Sequence, residues 1–220
     1  MIYIDAGTTY SKVISSENLF DNNFFVKKEG ENNYYILPSS MIKEMKLNFN
    51  GACGHMAKAS TNEIIALANG SKKKIDDKNA LIMDLGSRDV KWISFKDNKF
   101  HDMDWNTACA SSTGATIEMI LKFYNLKVND LSFEQEKYNV TCGIFGIEKI
   151  MDEVSNGITP KVAISKFVHG IAFNSWNFAK RPNKIYLSGG FCENKCFMDS
   201  LANYCEIIPL GRFTLCEGLF

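Results

Sequence analysis

No charge of either sign prevails in this chain: 25 lysines and arginines stand against 25 aspartates and glutamates in 220 residues. A global field that would draw nucleic acid or an anionic bilayer is therefore missing, and an anionic ligand must be held locally. Long apolar runs are missing too. Nowhere do roughly 18 apolar residues follow one another, and the opening Met1-Ile2-Tyr3-Ile4-Asp5 has neither a basic stretch nor a long apolar core. These absences predict a cytoplasmic protein with no membrane and no nucleic-acid partner. His55, His101 and His169 are scattered, lack a carboxylate or cysteine context, and read as structural or surface residues. The seven cysteines lack the dense, regular spacing of a secreted disulfide scaffold, so reduced thiols are expected. What is present is an ordinary globular composition, 45% hydrophobic and 23% charged, which excludes disordered and fibrous classes. The 16 phenylalanines suit a core better than a base-stacking surface. The length accommodates one large domain or two small lobes.

Two segments repeat. Residues 3–15 read YIDAGTTYSKVIS and residues 82–94 read IMDLGSRDVKWIS. Asp5 falls on Asp84, Gly7 on Gly86, Lys12 on Lys91, Ile14 on Ile93 and Ser15 on Ser94. Each copy is an apolar run, a polar turn and a second apolar run, the pattern of a tight β-hairpin. The repeat predicts two related lobes, facing each other with a site between them. The charged stretch Ser71-Lys72-Lys73-Lys74-Ile75-Asp76-Asp77-Lys78 reads as a solvated connector rather than a phosphate site, which sets the lobes at 1–77 and 78–220, the C-terminal end packing back toward the first.

After the second hairpin the apolar period becomes helical. Helices are predicted from near Thr113, over 144–154 and over 160–180. Lys184-Ile185-Tyr186-Leu187-Ser188-Gly189-Gly190 then reads as a strand entering a glycine turn, with a helix behind it. Strands interleaved with helices make the class α/β.

The hairpin tips have the chemistry for phosphate and metal. Glycine lets backbone amides approach phosphate oxygens, Thr8, Thr9 and Ser11 carry hydroxyls, Lys12 can neutralise phosphate charge, and Asp5 and Asp84 can hold magnesium through water. One Asp-x-Gly turn is commonplace; two with matching lysines, followed by Gly189-Gly190, form an ordered set. That set resembles the phosphate-1, phosphate-2 and adenosine motifs of the actin-like (sugar kinase/Hsp70/actin) ATPase superfamily. The resemblance implies two lobes of ribonuclease H-like topology. It assigns Asp5, Gly7, Thr8 and Thr9 to the first phosphate loop, Asp84 and Gly86 to the second, and Gly189 and Gly190 to the adenosine loop.

Within the superfamily the chain is similar to the activators of 2-hydroxyacyl-CoA dehydratases and the ATPase subunits of benzoyl-CoA reductase, the BadF/BadG/BcrA/BcrD group. Asn106-Thr107-Ala108-Cys109-Ala110-Ser111-Ser112-Thr113-Gly114 with Glu118 resembles that group's N-D-K-C-A-A-G-T-G-x-x-x-E element. Cys142-Gly143-Ile144-Phe145 with Glu148 resembles its C-x-x-F-A-E-S-E element. Ser188-Gly189-Gly190-Phe191-Cys192-Glu193-Asn194 matches T-G-G-V-A-x-N, and Cys216-Glu217-Gly218-Leu219 resembles the closing G-A-L-G. The resemblance spans nearly the whole chain. It implies ATP or ADP with Mg2+ as ligands, with Thr113, Gly114, Glu118 and Asn194 on the nucleotide side. It also implies a [4Fe-4S] cluster shared across a homodimer through Cys109 and Cys142. The expected activity is ATP-driven transfer of a low-potential electron, taken from a ferredoxin or flavodoxin, to an iron-sulfur dehydratase or reductase.

Both cysteines precede predicted helices, where partial positive charge favours a thiolate, and two copies of the chain would supply the four thiolates a cluster takes. Cys192 and Cys196 form a C-x-x-x-C that reads as helix packing rather than a metal pair. The chain departs from the group at Ser87 and Arg88, which stand for glycine and glutamine, and at His55 in a degraded Gly-Tyr-Gly-Arg element. Those departures motivate one alternative, a regulatory protein that binds nucleotide without hydrolysing it; the other is a small-molecule kinase of the same fold, against which Cys109 and Cys142 argue.

Overall fold

The computed structural model describes residues 1–44, 48–55, 58–106, 114–140 and 143–220, and divides the chain into two compact units. Unit 1 comprises Met1–Asp76 with Arg212–Phe220, and unit 2 is Asp77–Gly211.

Unit 1 is built on a five-stranded sheet in the order β3-β4-β2-β1-β5, from β1 (Ile2–Ala6), β2 (Tyr10–Ser15), β3 (Phe25–Glu29), β4 (Asn32–Pro38) and β5 (Gly51–Gly54). Strands β1 and β2 form the expected hairpin, with Asp5 opposite Lys12. Alternation sends Ile4, Ala6, Val13, Tyr35 and Leu37 into one core, while Ile14 and Tyr34 pack with Phe213 and Cys216. Strand β5 returns parallel to β1, which needs a crossover, and the short helix α1 (Ser39–Glu44) lies on that path.

Helix α2 (Glu63–Lys72) starts where the Asn62 side chain accepts the Ile64 N–H, and packs on α7 (Thr214–Glu217). Two glycines permit the approach. A Cβ on Gly70 would sit 1.8 Å from the Thr214 carbonyl oxygen, and one on Gly218 1.9 Å from that of Ala66. The lysines of the charged stretch are exposed, as a solvated connector requires, but two of them also have partners. Ser71 and Lys72 finish α2, Ser71 is buried, the Lys73 ammonium donates to the Glu217 carbonyl at 2.8 Å, and Lys74 pairs with the Glu217 carboxylate at 2.5 Å. Lys73 and Lys74 thus hold the acidic residue of the returning C-terminal helix.

Unit 2 carries a five-stranded sheet in the order β10-β9-β6-β7-β8, from β6 (Leu81–Leu85), β7 (Val90–Lys96), β8 (Lys99–Asn106), β9 (Lys184–Gly189) and β10 (Glu206–Gly211). The β6–β7 hairpin sets Asp84 opposite Lys91. The β7–β8 turn uses Asp97 and Asn98 at φ 52° and 63°, residue types that tolerate the left-handed region a two-residue hairpin demands.

Four helices cover this sheet's core: α3 (Gly114–Phe123), α4 (Gly143–Ser155), α5 (Pro160–Phe178) and α6 (Lys195–Ala202). Central α5 is capped by Thr159, whose hydroxyl accepts the Val162 N–H, with Pro160 supplying a preset first-turn φ. It buries Ile164, Phe167, Val168 and Ile171 against Met83, Leu85 and Phe197. At roughly 25 cal/mol per Å² of apolar surface, each such side chain contributes about 2 kcal/mol. Helix α4 comes close to α5 because Gly146 has no side chain; a Cβ there would lie 2.2 Å from the Phe167 ring.

The two sheets share one plan. The order β4-β2-β1-β5 in unit 1 matches β8-β7-β6-β9 in unit 2, antiparallel except for the last pair, which is parallel. Unit 2 adds β10 beyond β9 and so completes the ribonuclease H-like order; unit 1 instead adds β3 at the opposite edge. No helix among the described residues is long and apolar enough to cross a membrane.

Candidate functional site

In unit 1 the β1–β2 turn carries Gly7, Thr8 and Thr9. Gly7 is dictated by crowding, since a Cβ would stand 2.5 Å from the Tyr10 carbonyl oxygen. Its own carbonyl accepts from the Ser39 hydroxyl at 2.7 Å, the Ser39 N–H donates to the Thr9 carbonyl at 2.9 Å, and the Ser11 and Ser39 hydroxyls meet at 2.9 Å. The turn is thus tied to the start of α1, leaving Thr8 exposed and Thr9 half-buried. Asp5, at the end of β1, is 4% exposed; its Oδ2 accepts from Lys12 Nζ at 2.9 Å and its Oδ1 faces the Cys53 thiol at 3.8 Å. Burial and the neighbouring Asp5 charge push the Cys53 thiol far above its ordinary range, so it is a neutral donor.

In unit 2 Asp84 ends β6 and is 6% exposed. Ser188 donates to its Oδ1 at 2.7 Å and Lys91 Nζ lies 3.5 Å from its Oδ2. Lys91 also pairs with Asp89 at 3.1 Å and lies 5.0 Å from the centre of the Trp105 ring, while the Trp105 indole N–H donates to Asp89 at 2.7 Å. Gly86 opens the turn, its N–H donating to the Asp89 carbonyl at 3.0 Å. Helix α3 docks on the same turn: the Gly114 N–H reaches the Gly86 carbonyl at 3.3 Å and the Ala115 N–H that of Ser87 at 3.0 Å. A Cβ on Gly114 would touch the Gly86 carbonyl oxygen and the Phe191 ring, each at 3.3 Å. Gly189 has φ 92°, and a Cβ on it would stand 2.4 Å from the Leu85 carbonyl oxygen and 3.0 Å from Asp84 Oδ1. Asp84, Gly86, Gly114 and Gly189 therefore converge on one backbone-lined corner.

Gly190 opens the 3-10 turn that follows β9, and Glu118 lies half-buried on the second turn of α3. Asn194 acts structurally, since its side-chain oxygen accepts the Phe197 N–H at 3.0 Å and caps α6. Cys109, Thr113 and Cys142 lie outside the described residues.

Cys192 and Cys196 do not share a site. Cys192 donates to the Leu187 carbonyl and Cys196 to that of Ser132, and burial pushes each thiol up to about 11. His169 is structural, with both ring nitrogens engaged, by the Glu134 carbonyl at 2.8 Å and the Tyr204 hydroxyl at 2.7 Å. His55 and His101 are exposed.

Sequence reasoning missed Cys53, Gly54, Asp89, Trp105 and the part Ser188 plays. The repeat is longer than the hairpins. Asp5 pairs in register with Cys53 and Ala6 with Gly54, as Asp84 does with Ser188 and Leu85 with Gly189. Gly54 has φ 91° and its Cβ would stand 2.4 Å from the Ala6 carbonyl oxygen, the same crowding as at Gly189. A short apolar-polar-glycine signal, Ala52-Cys53-Gly54 against Leu187-Ser188-Gly189, was there to be found.

No family model matches the chain. In sequence it is 25% identical over 123 residues to the (R)-2-hydroxyglutaryl-CoA dehydratase activating ATPase of Acidaminococcus fermentans, a match spanning 51% of this chain and 47% of that protein. In structure it is similar to the activator of the 2-hydroxyisocaproyl-CoA dehydratase from Clostridium difficile with bound ADPNP (TM-score 0.75, 17% identity, 99% of this chain and 91% of that one). Component A of the A. fermentans (R)-2-hydroxyglutaryl-CoA dehydratase gives TM-score 0.75 and 20% identity, covering 99% and 95%. Ethanolamine utilization protein EutJ from Carboxydothermus hydrogenoformans is more distant, at TM-score 0.56 and 10% identity, covering 100% and 89%. The chain thus has the actin-like ATPase fold, and in that fold and over half its sequence it is similar to the activating ATPases of 2-hydroxyacyl-CoA dehydratases.

Proposed function

We propose that this protein is an ATP-dependent activator that passes a low-potential electron to a partner iron-sulfur enzyme such as a 2-hydroxyacyl-CoA dehydratase. The observation that carries the reading is the corner at Asp84, where a buried carboxylate meets three glycine-lined backbone segments in a fold similar to that of an activator with bound ADPNP. These residues suit a nucleotide: without a Cβ at Gly86, Gly114 and Gly189 the two turns and the start of α3 close tightly beside Asp84, and carboxylates hold magnesium through its waters.

Asp5 and Asp84 organise Mg2+ and the attacking water. Gly7, Thr8, Thr9, Lys12 and Gly86 hold phosphate, and Thr113, Gly114, Glu118, Gly189 and Gly190 hold the rest of ATP or ADP, with Asn194, expected on the nucleotide side, acting instead through the α6 cap behind Gly190. Lobes at 1–77 and 78–220 follow the repeat, with the chain end returning to the first.

Cys109 and Cys142 are the proposed ligands of a [4Fe-4S] cluster shared by a homodimer, since one chain offers two suitable thiols and the cluster takes four. When bound, the cluster supplies a one-electron carrier of low potential, refilled from a ferredoxin or flavodoxin. No group of three or more metal-ligating side chains occurs among the described residues, and the described cysteines are committed to packing. Exposed apolar side chains on α3 and α4 suit a second copy. Helix α4 opens one residue after Cys142 with Ile144 and Phe145 68% and 65% exposed, and α3 presents Met119 and Phe123 at 54% and 67%.

Anaerobic purification with iron and sulfide analysis tests the reading. One cluster per two chains is expected, lost in Cys109→Ser and Cys142→Ser but kept in Cys192→Ser and Cys196→Ser. Iron-free protein that still binds nucleotide would instead leave the kinase and the regulatory alternatives.

A further inference from the structure

We infer that Ser188 is a positioning residue for Asp84, and that Cys53 fills the same role, more weakly, for Asp5. The inference rests on the nucleotide reading and concerns groups that neither touch phosphate nor hold metal. Each aspartate ends the first strand of its hairpin, and in each unit the strand parallel to it places one small polar side chain directly opposite. The donor reaches the Oδ1 atom while the hairpin lysine takes Oδ2, so the carboxylate is held from both sides and cannot rotate about χ2 without losing a partner.

The next residue on that parallel strand is a positive-φ glycine, Gly189 or Gly54, pressed against the carbonyl of the residue after the aspartate. Strand, donor and glycine therefore move as one piece with the carboxylate. In unit 2 the consequence is specific. The segment that would carry the adenosine end of the nucleotide, Gly189 and Gly190, is joined through one hydroxyl to the carboxylate that would organise magnesium. The Ser188 hydroxyl thereby sets the direction of the Asp84 oxygens relative to the glycine turn, and magnesium waters would meet a carboxylate already aligned.

The donors are unequal. A hydroxyl at 2.7 Å to a carboxylate is a strong, charge-assisted bond; a thiol at 3.8 Å is a weak one. Asp84 is the preset carboxylate and Asp5 the adjustable one.

The test uses the full chain, purified anaerobically. ADP binding is measured by calorimetry without Mg2+, and ATP hydrolysis is measured against Mg2+ concentration. Ser188→Ala should raise the Mg2+ concentration for half-maximal hydrolysis roughly tenfold, the loss of one hydrogen bond to a charged group, while Mg2+-free ADP affinity stays within about twofold. Ser188→Cys, which installs the donor found in unit 1, should fall between. Cys53→Ser, a second variant independent of the adenosine turn, should lower the Mg2+ requirement. A Mg2+ curve for Ser188→Ala matching that of the wild type overturns the inference. So does an equal loss of Mg2+-free ADP affinity, which would make Ser188 a plain part of the turn. Wild-type protein that binds no ADP overturns the nucleotide reading, and this inference with it.

Discussion

Unit 1 and unit 2 build the same carboxylate enclosure from different materials. Around Asp84, Lys91 is 2% exposed and shared with Asp89, which also accepts from the Trp105 indole. Around Asp5, Lys12 is 15% exposed, at 2.9 Å, and the opposite donor is a thiol. The plan of the sheet fixes where the aspartate, lysine and parallel-strand donor must stand, while the choice of side chain decides how firmly they hold. A duplicated backbone need not produce two equal sites.

The largest expected effect breaks the enclosure of unit 2. Asp84→Asn should lower magnesium-dependent ATP turnover on the order of a hundredfold, the scale of removing a group that organises the reacting water. Asp5→Asn should also suppress turnover, and iron content should stay unchanged in both. Steady-state kinetics beside iron analysis decides this, and unchanged turnover in both variants removes the pair from the site.

Next come the lysines. Lys91→Met leaves Asp84 and Asp89 buried together without their shared cation and should cost about 3–5 kcal/mol. Lys12→Met, at a more solvated site, should cost less, about 1–2 kcal/mol. Urea denaturation compares them, and equal losses would erase the difference between the sites.

Gly189→Ala and Gly54→Ala meet the same obstacle, a positive φ with a carbonyl oxygen 2.4 Å from the new Cβ. Each should cost at least about 1–3 kcal/mol, and similar values would confirm that the duplication extends through the parallel strands.

The smallest effect concerns pH and unit 2 alone. Burial among α5, α6 and Tyr204 lowers the pKa of His169 from its ordinary 6.5. The unfolded chain then binds a proton that the folded one resists, so this residue's contribution is complete above pH 6.5 and declines as pH falls below it. His169→Gln should flatten the fall of Tm between neutral pH and pH 5, with a lower but less pH-sensitive Tm at neutrality.

Much of this was legible because local signals agreed. Both hairpins, the helix from Pro160, the helix after Cys142 and the strand into Gly189 stand where periodicity, caps and glycine turns put them. Strands β3, β4, β5 and β8 were not legible. β8 is mostly exposed and polar, so apolar alternation never marked it, and β5 is four residues long, half of them glycine. Asp84 and Gly86 could be named from the repeat and Gly189 from its glycine turn, but the Ser188 contact joins positions 104 residues apart, and no spacing rule reaches that far. The contacts of Lys73 and Lys74 were out of reach for the same reason: their partner Glu217 lies at the other end of the chain.

That return of the chain end has a consequence for synthesis. Ile14 and Tyr34 are covered by Phe213 and Cys216, and the Cys216 thiol donates to the Tyr3 carbonyl at 3.3 Å. The sheet of unit 1 is translated first, yet the residues that cover one of its faces emerge only after all of Asp77–Gly211. At ordinary elongation rates that interval is on the order of ten seconds, long enough for Ile14 and Tyr34 to meet other chains. Of the two units, the one translated earlier is the last to be finished.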